Sequence, residues 1–443
     1  MTAAMLLFMA ALLLQADPGG TVVSAPEDEP DPIPTWNDDI APLISRRCAA
    51  CHRPGGVGPF ELLTHQDVSR RARFMVAVVE AGLMPPWLPG HDGLSLQHVR
   101  RLSFDEKKIL RDWSENGMPV GEGVPGLVRI PPRPLMRADL VRETILPHEL
   151  PEETPVAYHL GEMDKHAFRL LMANGEPLRV QAIRGTSNAP QSVRVMTLVT
   201  DTEGKARYLD HEDPLPGWRT HSDLAYKPSG AEGVLLMGGG GLRLPQGFHW
   251  AYPPRTEVAL GLHFRPTGRK EVLKETVEFE LVPDGEESRP LRWLPSVVNH
   301  VDVMAGDKAR IKAKPTEVPV DVDLVAITPR ATDICTGSTL HAVLPDGRRL
   351  LLMEIDDWDH HRRETHVLEK PLRLPAGTRI EGGWALDNTD ANPRNPDDPP
   401  IDVDRRRRTG MLLTLLHVAA VSENDDSRLS EFGIKTIGIS QRP

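Results

Sequence analysis

Apolar positions recur at helical spacing from Asp38 to Gly121 and alternate at strand spacing over most of the chain beyond Ser192. The change of period predicts a helical start followed by a long stranded region. In the helical part, Ile40 to Ile44 lead into Cys48, and Asp67 to Gly82 carry an apolar face through Ala72, Val76 and Val79. Ser103 to Asn116 repeat that design, with a capping-box spacing at Ser103 and Glu106 and a stop at Gly117. Strands are predicted over Ser192 to Thr200, Glu257 to Pro266, Thr276 to Leu281, Val322 to Thr328, Ser338 to Leu344, Arg349 to Ile355, Thr378 to Leu386 and Met411 to Val421. Pro345-Asp346-Gly347 and Pro375-Ala376-Gly377 supply turn signals between them, as in antiparallel sandwiches.

At 443 residues the chain is long enough for two or three cores. A net charge of -11 with scattered acidic residues gives no basic face, which argues against nucleic-acid binding. Met5 to Leu14 form a short apolar run suited to a secretory signal, so export is expected; an uncleaved anchor is the competing reading. An acidic, proline-rich linker, Ala25 to Pro34, follows it, and no later segment is apolar enough to span a membrane. With Cys48 and Cys51 committed elsewhere, Cys335 stands alone and no disulfide framework is expected.

Cys48-Ala-Ala-Cys51-His52 is the attachment signature of a c-type haem. Two thiols one helical turn apart can reach the two vinyl groups of one porphyrin, and the adjacent imidazole then faces the iron. A half zinc site lacks a second Cys/His pair at metal spacing, and a thioredoxin-like pair lacks a βαβ setting. Covalent haem also implies export to the periplasm or beyond, because bacterial-type attachment occurs outside the cytoplasm. Met84, at the end of a predicted helix and stiffened by Pro85 and Pro86, is the leading sixth ligand; Met75 and Met118 are its rivals. His65, His91 and His98 read as surface histidines.

Asp39-Ile-Ala-Pro42, Cys48 to Gly55, Pro59-Phe60-Glu-Leu-Leu63, Met84-Pro-Pro-Trp87, Leu102-Ser103 and Trp113-Ser-Glu-Asn-Gly117 together resemble the cytochrome c module fused to bacterial copper type II ascorbate-dependent monooxygenase-like proteins. In that family the Met-Pro-Pro-Trp methionine is taken as the distal haem ligand. The remainder is similar to the paired β-sandwiches of peptidylglycine hydroxylating monooxygenases. The likeness rests on Gly261-Leu-His263-Phe-Arg-Pro-Thr-Gly268, the turns Leu344 to Gly347 and Pro375 to Thr378, and Asp387-Asn-Thr-Asp-Ala-Asn-Pro-Arg-Asn-Pro396. The resemblance implies a multidomain fold: a small all-α cytochrome c domain followed by two all-β antiparallel, jelly-roll-like sandwiches. The expected division is a signal peptide and start of linker at 1–25, the haem domain at 36–121, a proline-rich linker at 122–155, and sandwiches at 156–283 and 284–443.

Such monooxygenases hold two coppers on six ligands, and this chain departs from that pattern. Val193-Arg194-Val195-Met196 stands at the His-His pair, Pro329-Arg330-Ala331-Thr332 at Pro-His-x-His, and Arg408-Thr-Gly-Met411 lacks the acidic pair before the methionine. Only His263 matches, and one imidazole does not make a copper site. The expected protein is therefore an exported monohaem electron carrier whose partner is a redox protein or a small electron donor or acceptor. The alternative is an active copper monooxygenase with relocated ligands, fed by the haem. His360, His361 and His366, with His341 and His417 on other strands, are the candidates for relocation, although the first three read as a solvated turn. Arg405 to Arg408 reads as a solvated loop and Met237 to Gly241 as a turn without phosphate-binding context.

Overall fold

The computed structural model describes residues 32–87, 89–130, 140–146, 164–171, 176–201, 204–213, 217–219, 233–237, 240–254, 257–264, 273–298, 300–404 and 412–440. The apolar segment at 5–14, the middle of the proline-rich stretch, Arg405 to Arg408 and Met411 lie outside them.

A π-helical turn, Trp36–Ile40, runs into α1 (Ala41–Arg47), followed by α2 (His65–Ser69), α3 (Ala72–Glu80) and α4 (Phe104–Glu115). Reciprocal capping boxes start α2 at Thr64/Asp67 and α4 at Ser103/Glu106, each satisfying two N-terminal donors that the helix itself leaves open. The single helix expected from Asp67 to Gly82 is broken. Arg71 leaves helical geometry at φ -118°, and its guanidinium turns back to the Asp67 carbonyl at 3.0 Å. Trp36, Ile44, Val68, Met75, Leu110 and Trp113 form the core of this unit. His65 is part of that packing and not a free surface residue: it meets the Trp36 and Trp113 rings edge-on, and its Nε2 lies 3.0 Å from the Met118 carbonyl. His91 and His98 are exposed as expected. Residues beyond Gly121 turn back onto the helices, with the Trp36 indole donating to the Gly126 carbonyl and the Val128 amide to Leu63.

The bulk of the molecule is antiparallel sheet. Among the described residues its first strands are β1 (Leu140–Leu146), β2 (Asp164–Leu171), β3 (Leu178–Ser187), β4 (Val193–Asp201), β5 (Trp218–Arg219), β6 (Gly233–Met237), β7 (Gly241–Arg243), β8 (Phe248–Tyr252), β9 (Glu257–Phe264), β10 (Leu273–Leu281) and β11 (Arg289–Pro290), with α5 (Lys205–Glu212) between β4 and β5. They form a sheet β1-β10-β3-β8-β11 with β7 beside β3, and a sheet β5-β2-β9-β4-β6. Ile183, Trp250 and Phe279 of one sheet pack on Met196, Leu260 and Leu262 of the other, making a sandwich. β1 arises inside the stretch read as linker, paired along its length with β10.

The later strands are β12 (Arg292–Val298), β13 (Lys308–Lys312), β14 (Thr316–Glu317), β15 (Val322–Arg330), β16 (Cys335–Val343), β17 (Arg349–Ile355), β18 (His366–Leu374), β19 (Arg379–Asp387) and β20 (Leu412–Ala420), followed by α6 (Asp426–Ser440). Sheet β12-β20-β15-β18 faces sheet β13-β19-β16-β17, which carries β14 beside β19. Every residue of β15 and β20 is buried. The cause is cover on both faces: Leu324, Ile327 and Leu416 point into the second core, while Val325 and Ala419 join the core of the first sandwich. That is why Leu412 to Ala420 read as a nearly continuous apolar run, interrupted only by Thr414 and His417, and not as alternation. The Asp387 to Pro396 loop is a closed hydrogen-bond knot in which the Asn388 amide donates to the carbonyls of Val303, Met304 and Ile401.

One segment of the helical unit leaves it and lies along the second sandwich. The Gly90 and Leu94 amides donate to the carbonyls of Glu354 and Leu352 in β17, the Gln97 amide donates to Val367 in β18, and the Glu369 amide donates back to Ser95. Trp87 and Leu96 are buried in the second core. β17 and β18 are the terminal strands of their sheets, so this strap covers two backbone edges that would otherwise be open. No helix among the described residues is long and apolar enough to cross a membrane.

Candidate functional site

The Cys48 to His52 turn continues directly from α1. The Cys51 and His52 amides both donate to the Cys48 carbonyl, at 3.1 and 3.0 Å, so the two thiols and the imidazole share one helical turn. His52 Nδ1 lies 2.9 Å from the Phe60 carbonyl. A carbonyl only accepts, so Nδ1 carries the hydrogen and the lone pair resides on Nε2, the arrangement of a metal-ligating imidazole. Burial lowers the His52 pKa below its ordinary value, which keeps that lone pair available at neutral pH. The loop that follows wraps tightly: the Gly58 amide donates to the Cys51 carbonyl, and a Cβ on Gly58 would stand 2.7 Å from His52 Nδ1. The Phe60 ring lies 4.8 Å from the imidazole and carries the Arg71 guanidinium on its face.

Cys48, Cys51 and Cys335 are all free thiols. Burial pushes the Cys48 thiol up to about 12 and raises that of Cys51 as well. A thioredoxin-like pair needs the opposite, a depressed thiol that supplies thiolate at neutral pH. The charges of Arg100 and Glu364 act on Cys51 in opposite directions, the first lowering and the second raising its thiol.

Met84 lies on the loop after α3, its amide donating to the Val78 carbonyl at 3.1 Å and its side chain exposed. Its two rivals are engaged elsewhere: Met75 is buried in the helical core and Met118 packs against it. The Met84 loop touches the second sandwich, because Arg362 donates to the Gly82 and Leu83 carbonyls.

The positions expected to hold copper in the resembled family are filled by other chemistry. Val193, Val195 and Met196 are buried apolar residues of β4, while the Arg194 side chain lies outside the description. His263, opposite Val195 on β9, is buried, with Nδ1 at 3.3 Å from Nη2 of Arg363. Arg330 is buried on β15. Burial lowers both arginines to about 10, so both remain cations at neutral pH, and a guanidinium against His263 repels a metal ion. The donor set therefore does not fit copper.

The reading of His360, His361 and His366 as a solvated turn is corrected at the first and the last, the His361 side chain lying outside the described residues. His360 and His366 are buried, and His366 opens β18 against the Trp87 ring at 5.0 Å. Burial holds His366 at about 3 and His417 at about 4, so both are neutral; His417 Nε2 pairs with Thr328 Oγ1 at 2.8 Å. Sequence reasoning missed this setting because burial here comes from the strap and the neighbouring sandwich, both remote in sequence. No group of three or more His, Cys, Asp or Glu side chains suited to a metal occurs among the described residues.

No protein-family model matches the chain, and no curated protein matches it. Among solved structures it is similar to the major capsid protein P2 of bacteriophage PM2, at 10% identity over 64% of this chain and 99% of that one, with TM-score 0.24. The A223 turret protein of Sulfolobus turreted icosahedral virus is similar at 7% identity over 63% and 98%, TM-score 0.15. PNGF-II is similar at 8% identity over 63% and 66%, TM-score 0.24. At these scores the likeness carries no argument.

Proposed function

We propose that this chain is an exported electron-transfer protein in which Cys48 and Cys51 hold one haem c, His52 ligates the iron through Nε2, and Met84 is the sixth ligand. The observation that carries the reading is the Phe60 carbonyl on His52 Nδ1, which fixes the tautomer that a proximal histidine requires. When bound, the haem supplies a one-electron couple, and thioether ligation raises its potential. The chain's own residues orient the ligands: α1 presents the thiols, Gly58 lets the loop close on the imidazole, and Phe60 holds the ring. The β domains are read as monooxygenase-like sandwiches in which Val193, Val195, Met196 and Arg330 stand where copper ligands would, and Arg363 faces the remaining His263. Their role in this reading is to dock a redox partner and to support the haem unit. The test is metal analysis with reduced-minus-oxidised spectroscopy on protein matured with its haem. About one haem and no tightly bound copper is expected; two coppers per chain would overturn the reading.

A further inference from the structure

We infer that Arg362, a residue of the second β sandwich, is a positioning residue for the Met84 side chain, so that the distal side of the haem is set by the sandwich and not by the helical unit alone. The inference rests on the reading of Met84 as a haem ligand. Its own evidence is the hydrogen bonding around residues 82 to 86.

The chain leaves α3 at Glu80 and turns at Gly82, whose φ of 69° belongs to the left-handed region that favours glycine. Behind the turn, the Gly82 amide donates to the Val79 carbonyl, and the Leu83 and Met84 amides donate to the Val78 carbonyl. The helix end thus satisfies the loop's donors. Its acceptors are satisfied from the other side: Arg362 Nη1 donates to the Gly82 carbonyl at 3.3 Å and Nη2 to the Leu83 carbonyl at 2.9 Å. Peptide planes bonded on both edges fix the backbone just before Met84, and with it the direction in which its side chain leaves the chain.

Arg362 is itself fixed. Its Nε stands 2.9 Å from Asp359 Oδ2, with both side chains largely buried, and its amide donates to the Asp359 carbonyl. The two residues that follow anchor the same turn in different directions. Arg363 donates to the His360 carbonyl and reaches His263 of the first sandwich. Glu364 pairs with Arg100, whose Nε donates to the Pro86 carbonyl at 3.2 Å and whose guanidinium covers the Trp87 ring. Met84 is therefore bracketed by a guanidinium on the two carbonyls before it and a second guanidinium on the Pro86 carbonyl two residues after it, both tied to residues 359 to 364. This gives the copper-less sandwich a task, which is to serve as the scaffold of the haem's distal loop.

The test uses the full haem-loaded chain with Arg362→Ala, Arg362→Lys, Met84→Ala and, as a control on an exposed pair, Arg348→Ala. The readouts are reduction potential and carbon monoxide affinity of the ferrous protein. Arg362→Ala is expected to lower the potential part of the way toward Met84→Ala and to raise carbon monoxide affinity about tenfold, the size of one charge-assisted hydrogen bond. Arg362→Lys, which can satisfy one carbonyl only, should fall between, and it carries the test if the alanine variant does not accumulate. Arg348→Ala should match wild type. Wild-type values in both Arg362 variants, with Met84→Ala shifted, would overturn the positioning role and leave Met84 as ligand. Wild-type values in Met84→Ala would overturn both.

Discussion

Replacing Arg100 by Met removes a charge from the strap while keeping most of its bulk over Trp87, and the structure sets the size of the effect. Glu364 is 8% exposed, and its carboxyl is held above the usual range by burial, with Arg100 as the countering influence. Removing one partner of a buried ion pair costs roughly 3 kcal/mol. Losing the bond to the Pro86 carbonyl adds about 1 kcal/mol, and losing the cation over the Trp87 ring about 1 kcal/mol more. The expected destabilisation of Arg100→Met is therefore about 5 kcal/mol near pH 8. A raised carboxyl binds its proton more tightly in the folded state, so its charge costs stability as pH climbs from the ordinary carboxylate range through the raised pKa. Without Arg100 that pKa rises further, so the loss should be visibly smaller near pH 5 than near pH 8. Arg100→Met/Glu364→Gln removes the orphaned charge and should recover about 2 kcal/mol. Urea unfolding followed by tryptophan fluorescence at both pH values is the assay, since Trp87 and Trp358 lie in the affected core. A single variant within about 0.5 kcal/mol of wild type at both pH values, or a double variant no more stable than the single, would refute the reasoning.

Glu275, buried opposite Ser187 and pushed up to about 7, should make wild type lose stability as pH rises from about 4.5 past 7, by on the order of 3 kcal/mol; Glu275→Gln should flatten that dependence in pH-resolved unfolding curves. Gly58→Ala places a methyl against the His52 ring and should sharply reduce covalent haem, measured by haem staining against total protein. Trp87→Ala should cost about 3 to 5 kcal/mol and expose the β17 and β18 edges, seen as faster hydrogen exchange at Gln97 and Glu369. Copper added to the haem-loaded chain should leave the His263 ring resonances unshifted, because Arg363 faces that ring; specific broadening there would contradict the assignment.

What the chain discloses locally, it discloses well. The helix start at Ser103 and Glu106 is a four-residue signal, and the strand Arg349 to Ile355 lies where its apolar run and the Pro345-Asp346-Gly347 turn before it put it. Cys48 to His52 is legible because a cofactor imposes its spacing on adjacent residues. β18 was not legible: His366-Val-Leu-Glu-Lys-Pro-Leu-Arg-Leu374 has neither clean alternation nor a continuous apolar run, since its first residues are covered by the strap and its middle is exposed. The strap itself, from Trp87 to Arg101, looks like a polar loop in sequence. Its pairing partners lie in β17 and β18, hundreds of residues away, and no local period encodes an edge that another part of the chain will cover. The same applies to Arg363 and His263, each unremarkable until two sandwiches bring them together.

The central claim is one haem fixed through two thioethers to Cys48 and Cys51. Its most direct measurement is the intact mass and alkaline pyridine spectrum of the chain, produced with a c-type maturation system and stripped with acidified acetone. The account predicts that a single haem stays with the denatured polypeptide and is lost in Cys48→Ala/Cys51→Ala. A wild-type chain whose mass equals that of the bare polypeptide, or whose haem extracts completely, would contradict it.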